Sequence, residues 1–445
     1  MKPIYVLAPF VLALSIACFG QTELRSVAAL DAAAASLSVD EAVAAALESN
    51  PDIRAGVRRL SLAQLKTGTA RSLDDPMLMM RDWDTPLRRP CDLNQAQLMV
   101  SLQQTFPSRQ KRDQRARLAE DDADGAAIDL ETLRQEVSVE VRKTCVDLMR
   151  NADEVRLQAR QSSLLKEALA AALAEYTIGK APQADVLRAQ MALTRMNEQL
   201  IELEEGRDSA RAQLNALMGR PPDAAIEIAG SYTSPAALPS IEELERIAIE
   251  HRPELAAMRA QIAKSRDESK LARLAMKPDF TVGLGYMLMS TGSLARNAYM
   301  AEVAMNLPWL NRERHDGEAK QADAATDLSQ EELDARAATV FLEIRQAQIE
   351  VLAAEKRVKL YRDTLLPQAE ASFKASTAAY QNNRAEFMSL IDAQNLLLDI
   401  QTAYYKASAA TDEGMAQLER AIGAPVANST NSNTETNSNN GRTSK

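Results

Sequence analysis

The residues that most often carry metal or nucleophilic chemistry are scarce in this 445-residue chain: two histidines, His251 and His315, and three cysteines, Cys18, Cys91 and Cys145. Their wide separation assembles neither zinc-ligand spacing nor a disulfide framework. No nucleophile stands beside an acid–base partner and no phosphate-binding loop is present, so an enzyme is not expected and no cofactor is called for. Sulfur is nevertheless abundant as methionine, 17 in all, with Met77, Met79, Met80, Met99, Met287, Met289, Met300 and Met305 grouped in two regions. Thioethers are soft ligands suited to Cu(I) or Ag(I). They are equally good packing and lipid-facing side chains, and both readings stay open at this point.

The composition limits what positions these groups. Hydrophobic residues make up 46% but aromatics only 4%, and long stretches are built from Ala, Leu, Glu, Gln and Arg, as in extended helices and coiled coils. A formal charge of −10 without a strongly basic block leaves no footprint for nucleic acid. Lys2 followed by the uncharged apolar run Pro3 to Phe19 reads as an export signal over residues 1–20. Cys18 ends that run after Leu14-Ser15-Ile16-Ala17, which is similar to a bacterial lipobox with Ser15 in place of an aliphatic residue. Lipidation of Cys18 and ordinary cleavage that discards it are the two alternatives. Residues 426–445, mostly Asn, Ser and Thr, form a tail too polar to repay ordering.

The body is written twice, as a first repeat over 37–221 and a second over 238–425. Ser38-Val39-Asp40-Glu41 is a capping box, and Ser240-Ile241-Glu242-Glu243 reads as the same device. Asn50-Pro51 is answered by Arg252-Pro253, Phe106-Pro107 by Leu307-Pro308, Tyr176 by Tyr380, and Met218-Gly219-Arg220-Pro221 by Ile422-Gly423-Ala424-Pro425. An offset of about 200 residues is a duplication, because repeat-array units are far shorter. Gln110 to Tyr176 lacks proline and predicts a helix of about 65 residues, roughly 100 Å long. Ile344, Val351, Val358 and Leu365, with Ala347, Ala354 and Tyr361, form a heptad seam, with Val141, Leu148 and Val155 as counterparts. Pro367 is expected to kink the second long helix.

Period two replaces period 3.6 in two places. Phe280, Val282, Leu284, Tyr286 and Leu288 alternate with small or polar residues, and Tyr299, Ala301, Val303, Met305 and Leu307 do so on the return. In the first repeat Leu98, Val100, Leu102 and Phe106 repeat the pattern, while Pro76 to Trp83 puts Asp82 on the apolar face. Strands of about ten residues suit tilted transmembrane β-strands; the alternative is hairpins on a soluble core. Four strands cannot close a barrel, and open edges are not tolerated in lipid, so a membrane reading requires oligomers. Three chains would supply a twelve-stranded barrel.

These features resemble the TolC-like outer-membrane channels of tripartite efflux and type I secretion systems. The similarity covers about residues 37 to 425. It is marked by Tyr176-Thr177-Ile178-Gly179-Lys180 leading to Asp185-Val186-Leu187-Arg188-Ala189-Gln190, by Leu365-Leu366-Pro367-Gln368-Ala369-Glu370, and by Lys277-Pro278-Asp279-Phe280. The resemblance implies a mainly α fold with a small β part. Duplicated antiparallel helical hairpins would form a trimeric α-barrel tunnel, and two β-hairpins per chain would contribute to a 12-stranded transmembrane β-barrel. It implies a homotrimer in the bacterial outer membrane, in contact with lipid, with a long periplasmic part. Its partners would be a periplasmic adaptor and an inner-membrane pump of RND or ABC type. Short helices, about Ser38 to Lys66 and Pro182 to Met218, would stack end to end beside the long one.

The resemblance also maps a periplasmic gate onto Asp185, Asp392, Tyr380 and Arg384, and adaptor docking onto Ile178, Gly179, Lys180 and Asn383. Six carboxylates from Asp185 and Asp392 in a trimer would favour cations; alternatively the aspartates cap the returning helices. Ser389 replaces a further aspartate of the family, which thins the ring. Tyr380 and Arg384 would brace the closed state against a neighbouring hairpin, or Arg384 is one exposed side chain on a solvated turn. Gly179, and Asn383 in the second repeat, would end the long helices in a left-handed conformation. Two other classes compete with an exit duct: a periplasmic coiled-coil scaffold or adaptor without a pore, and an enzyme. Within the channel reading, Cu or Ag ions are the alternative cargo.

Overall fold

A computed structural model describes residues 36–83, 97–180, 182–232, 238–288, 297–382 and 384–426. The export signal, Cys18, Cys91, Met289, Asn383 and residues 427–445 lie outside the described residues.

The first repeat runs β1 (Ser36–Leu37), α1 (Val39–Ser49), α2 (Pro51–Ala70), β2 (Met77–Trp83), β3 (Gln97–Phe106), α3 (Arg109–Thr177), α4 (Gln183–Leu217) and β4 (Glu227–Ile228). The second runs α5 (Ile241–His251), α6 (Pro253–Leu274), β5 (Phe280–Leu288), β6 (Asn297–Met305), a 3-10 turn at Pro308–Asn311, and α7 (Arg312–Leu360). A π turn at Tyr361–Leu365, α8 (Leu366–Gln381) and α9 (Phe387–Ile422) complete it.

Helix α3 is one unbroken 69-residue rod, about 100 Å long, as the proline-free stretch predicts. Near its start α2 and α6 flank it: Lys264 pairs with Asp122 at 2.7 Å, and the Gln114 amide donates to the Asp267 carbonyl at 3.0 Å. Farther along, α4 and α9 take over, with the Gln158 amide donating to Gln199 at 2.9 Å and the Gln394 amide to Gln161 at 3.2 Å. The heptad seams are buried at Val141, Leu148, Ile344, Ala347, Val351 and Ala354, whereas Val155, Val358, Tyr361 and Leu365 are only half-buried.

Pro367 is answered by a π turn. Proline lacks the N–H that would bond four residues back, and its ring crowds that carbonyl. The chain widens over Tyr361–Leu365 instead, and the Leu366 N–H reaches the Tyr361 carbonyl five residues back. One extra residue per turn relieves the crowding without ending the rod.

The short helices meet end to end at two joints. In each, a proline forces the preceding residue out of helical conformation, and that residue's side chain reaches the end of the returning helix. Asn50 caps α2 through the Asp52 and Ile53 N–H groups and donates to the Leu217 carbonyl at 2.8 Å. Arg252, its side chain 1% exposed, donates to the Ala421 carbonyl at 2.9 Å and pairs with Glu254 at 2.6 Å and Glu343 at 2.5 Å. Gly219 and Gly423, at φ 66° and 77°, end α4 and α9 against these joints. A β-carbon on Gly423 would lie 2.7 Å from the Arg252 Cα and 2.8 Å from the His251 carbonyl oxygen. Gly423→Ala should therefore cost about 2–4 kcal/mol from positive φ plus overpacking, read as a lowered unfolding midpoint in denaturant.

The two helix starts differ. Ser38 and Glu41 form the complete reciprocal box, but at Ser240 only half of it exists. The Glu243 carboxylate turns to Arg246 at 2.6 Å instead of returning to the cap, because an opposite charge three residues on is the stronger partner.

The sheet order is β2-β3-β5-β6, antiparallel throughout, so the centre pairs a first-repeat strand with a second-repeat strand, from Leu98 with Leu288 to Phe106 with Phe280. One face carries Leu78, Met80, Val100, Leu102, Phe106, Phe280, Val282, Leu284, Tyr299, Val303 and Met305. Most of these are exposed, Tyr299 at 91%. Asp82 does fall on this face, opposite Leu98 at the strand's far end. The other face carries small or polar residues with methionines. Lys111, which opens α3, fixes rod to sheet: its ammonium contacts both Asp279 oxygens at 2.9 Å and the Lys277 carbonyl at 2.8 Å. No helix among the described residues is long and apolar enough to cross a membrane.

Candidate functional site

The helix tips bring together most of the residues singled out for a gate. At the first tip Gly179 takes φ 76°; its N–H donates to the Tyr176 carbonyl and the Lys180 N–H to the Glu175 carbonyl, both at 2.9 Å. That pair of bonds ends α3 because glycine adopts this conformation without steric cost. At the second tip the Arg384 N–H reaches the Ala379 carbonyl at 2.8 Å, a bond of the same span.

Tyr380 joins the two hairpins. Its hydroxyl donates to the Glu175 carboxylate at 3.0 Å, and its ring meets Phe387 edge-on at 5.6 Å. Phe387 is buried with Leu165, Ala172, Val186, Ala189, Met196 and Ile391 in a core shared by α3, α4 and α9. Burial pushes the Tyr380 hydroxyl up to about 12, helped by its bond to Glu175 and the nearby charges of Glu175 and Asp185. The phenol thus remains a donor at any physiological pH.

Asp185 lies in the first turn of α4, its carboxylate 3.9 Å from Arg188, and Asp392 lies exposed on α9. Neither caps a helix: Pro182 and Glu386 hold the cap positions, and neither helix start has a side-chain capping bond. Arg384 is exposed, and its guanidinium makes no hydrogen bond or ion pair among the described residues, so of the two residues expected to brace the tips only Tyr380 makes a contact there. Ile178 and Lys180 are exposed at the end of the rod, Ile178 at 65%.

Two segments, residues 42–220 and 244–424, match the family described as outer membrane efflux protein. The chain belongs to the outer membrane efflux protein family. Like its relatives of that family, it is an outer-membrane channel protein with a long periplasmic helical part. It is 23% identical to the cobalt-zinc-cadmium resistance protein CzcC of Cupriavidus metallidurans over 391 residues, 88% of this chain and 91% of that one. Among solved structures, it shares its fold with the outer-membrane channel OprN at a TM-score of 0.71, with 17% identity, covering 87% of this chain and 90% of that one. VceC of Vibrio cholerae gives 0.70 with 19% identity over 87% and 96%, and the CmeC channel of Campylobacter jejuni 0.71 with 14% over 86% and 85%.

Within this family fold, five residues have roles that the sequence alone does not signal. Glu175, the acceptor for Tyr380, adjoins Tyr176 but gains its role only when the two repeats pack. Gln161, Gln394 and Gln401 link α3 to α9 above the tips. Asp279 was singled out as part of a strand-opening motif, and its role as the acceptor for Lys111 depends on a distant helix.

Proposed function

We propose that the protein is the exit duct of a tripartite efflux or type I secretion system, assembled from three chains. The observation that carries this reading is the four-stranded sheet with an apolar outer face and two open edges, β2 and β6. Neither edge can stand in lipid, and three such sheets joined edge to edge close a twelve-stranded barrel. Exposed Leu62, Leu65 and Ile201 on one flank of the helices, and Leu342, Ile349 and Leu360 on the other, supply apolar surface for the same closure. A periplasmic adaptor would dock at Ile178, Gly179 and Lys180 and the region of Asn383, and an RND- or ABC-type pump would feed the duct. A pore-less scaffold has no use for the sheet, and the protein's work is conduction rather than catalysis.

Cations are the favoured cargo, divalent metal ions first, because the relative aligned along most of both chains is named for cobalt, zinc and cadmium resistance. Asp185 and Asp392 from three chains would line the constriction with carboxylates and favour cations. Purified, detergent-extracted protein in a planar bilayer should conduct with cation selectivity, and Asp392→Ala should reduce that selectivity several-fold. Unchanged reversal potentials would remove the carboxylate ring, and a well-folded protein without conductance would return the scaffold.

A further inference from the structure

The two repeats leave the sheet differently. In the first, Phe106-Pro107-Ser108 passes straight into α3: the Ser108 hydroxyl accepts the Lys111 N–H at 3.4 Å, and the Ser108 N–H donates to the Asp279 carboxylate at 3.2 Å. In the second, Leu307-Pro308 is followed by two residues without counterpart, Trp309 and Leu310, before Asn311 takes the cap position that Ser108 holds in the first. The inserted pair lies in the 3-10 turn Pro308–Asn311, where the Leu310 N–H donates to the Leu307 carbonyl at 3.1 Å. Asn311 makes no side-chain cap, so the insertion does not serve the start of α7.

Nor does it serve a core. Pro308 is buried, but among the described residues Trp309 is 47% and Leu310 76% exposed. Paired large apolar side chains left this open mark a contact surface, and what adjoins them identifies the contact. Phe106, Phe280 and Met305 make up the last row of the lipid-facing sheet face, all exposed, and exposed Leu307 carries that face past the end of β6. The turn therefore prolongs the membrane-facing surface at the end of the sheet where the rods begin. An indole has an apolar ring with one N–H donor and settles where acyl chains meet headgroups. On the rod side of the turn Arg312 and Arg314 stand exposed in the first turn of α7. Their partners, Asp316 at 3.4 Å and Glu318 at 2.8 Å, form solvent-exposed pairs of little strength, which leaves both guanidinium groups able to meet phosphate oxygens.

We propose that Trp309 and Leu310 dip into the leaflet on the rod side of the membrane as a phospholipid anchor. The Trp309 indole sits at headgroup level, the Leu310 side chain reaches the acyl chains, and Arg312 and Arg314 face the phosphates. Lys111 ties rod to sheet within the protein, and the turn ties their junction to the lipid, which fixes the depth of the sheet. The insertion belongs to the second repeat alone, so each chain carries one anchor, beside the edge strand β6. The proposal rests on the sheet's place in the membrane and is independent of the number of chains or the cargo.

The chain has two tryptophans, so Trp83→Phe leaves Trp309 as the sole one. Full-length protein with this change is reconstituted into vesicles of phosphatidylethanolamine and phosphatidylglycerol, plain or with acyl chains brominated near the glycerol or near the methyl end. Bromines near the glycerol should quench Trp309 fluorescence by at least about twofold, and more than bromines near the methyl end, as an interfacial indole requires. A second protein, Trp83→Phe/Trp309→Phe/Val303→Trp, reports on the sheet face itself, where Val303 is exposed. Bromine quenching in the second protein but not in the first would overturn the anchor and leave the membrane sheet standing. Aqueous acrylamide would then tell a solvated turn, which it quenches, from one covered by a second chain, which it does not. No bromine quenching in either would overturn the membrane placement and the anchor together, and stronger quenching of Trp309 from the methyl end would overturn its interfacial position. The quenching that wild type loses on Trp309→Phe gives the same reading without Trp83→Phe, should that change disturb folding.

Discussion

Single-channel conductance should rise in Tyr380→Phe/Arg384→Ser. Tyr380 holds the end of α8 to the end of α3 through one hydrogen bond to the Glu175 carboxylate, and a bond to a charged group is worth about 1.5–3 kcal/mol. Removing it should move the balance between closed and open tips by roughly ten- to a hundredfold. The phenylalanine keeps its ring against Phe387, so the tip core survives. Arg384, whose guanidinium has no partner among the described residues, would find its acceptor on a neighbouring protomer of the proposed trimer. Wild type should therefore conduct weakly and the variant strongly, with both proteins folded at the temperature of measurement. Equal conductance in the two would place the gate elsewhere.

Arg252→Ala should be the most destabilising single change outside the membrane part. It takes the buried guanidinium away from Glu254 and Glu343, which keep only Arg336, and leaves the Ala421 carbonyl without this donor. Breaking one side of such a network costs about 3–5 kcal/mol, which equilibrium unfolding in guanidinium chloride would read. The pH dependence follows from Glu254. Burial works to raise its pKa, but the hydrogen bond from Arg336 and the charge of Arg252 prevail and hold it below the ordinary value of 4.5. A depressed carboxylate contributes stability that is present above its unfolded pKa and lost as pH falls through the folded one. Wild type and variant should thus differ most near neutrality and converge as pH falls below the ordinary carboxylate value of 4.5 and through the depressed value of Glu254. A gap that stayed constant with pH would mean that the ion pairs contribute little.

What could be read in the chain beforehand were features written by local rules. The absence of proline from Gln110 to Tyr176 predicts the rod, and alternation from Phe280 to Leu288 predicts the strand. The prolines after Asn50 and Arg252 mark the breaks. Hidden features were those set by partners distant in sequence. Asn50 and Arg252 stand at corresponding places, yet one is a helix cap and the other a buried ion-pair centre, because Glu254 and Glu343 surround only the second. Ser240 followed by Glu243 looks like a capping box until Arg246 competes for the carboxylate. Pro367 announces a disturbance but not its form, since a kink and a π turn both relieve the same clash. At the tips the tyrosine is visible in the duplication, and its acceptor emerges only once the repeats are side by side.

The central pairing of β3 with β5 also bears on how the molecule is made. Its partners lie roughly 180 residues apart, with two long helices threaded between them in the chain. Contacts that close so large a loop form late, after local helices have condensed. The helical rod can therefore condense while the central strands of the sheet are still apart. Only when the second repeat has been delivered can the sheet form. A first repeat alone would carry a hairpin whose β3 has no second-repeat strand to join, so the sheet is completed only when both repeats are present.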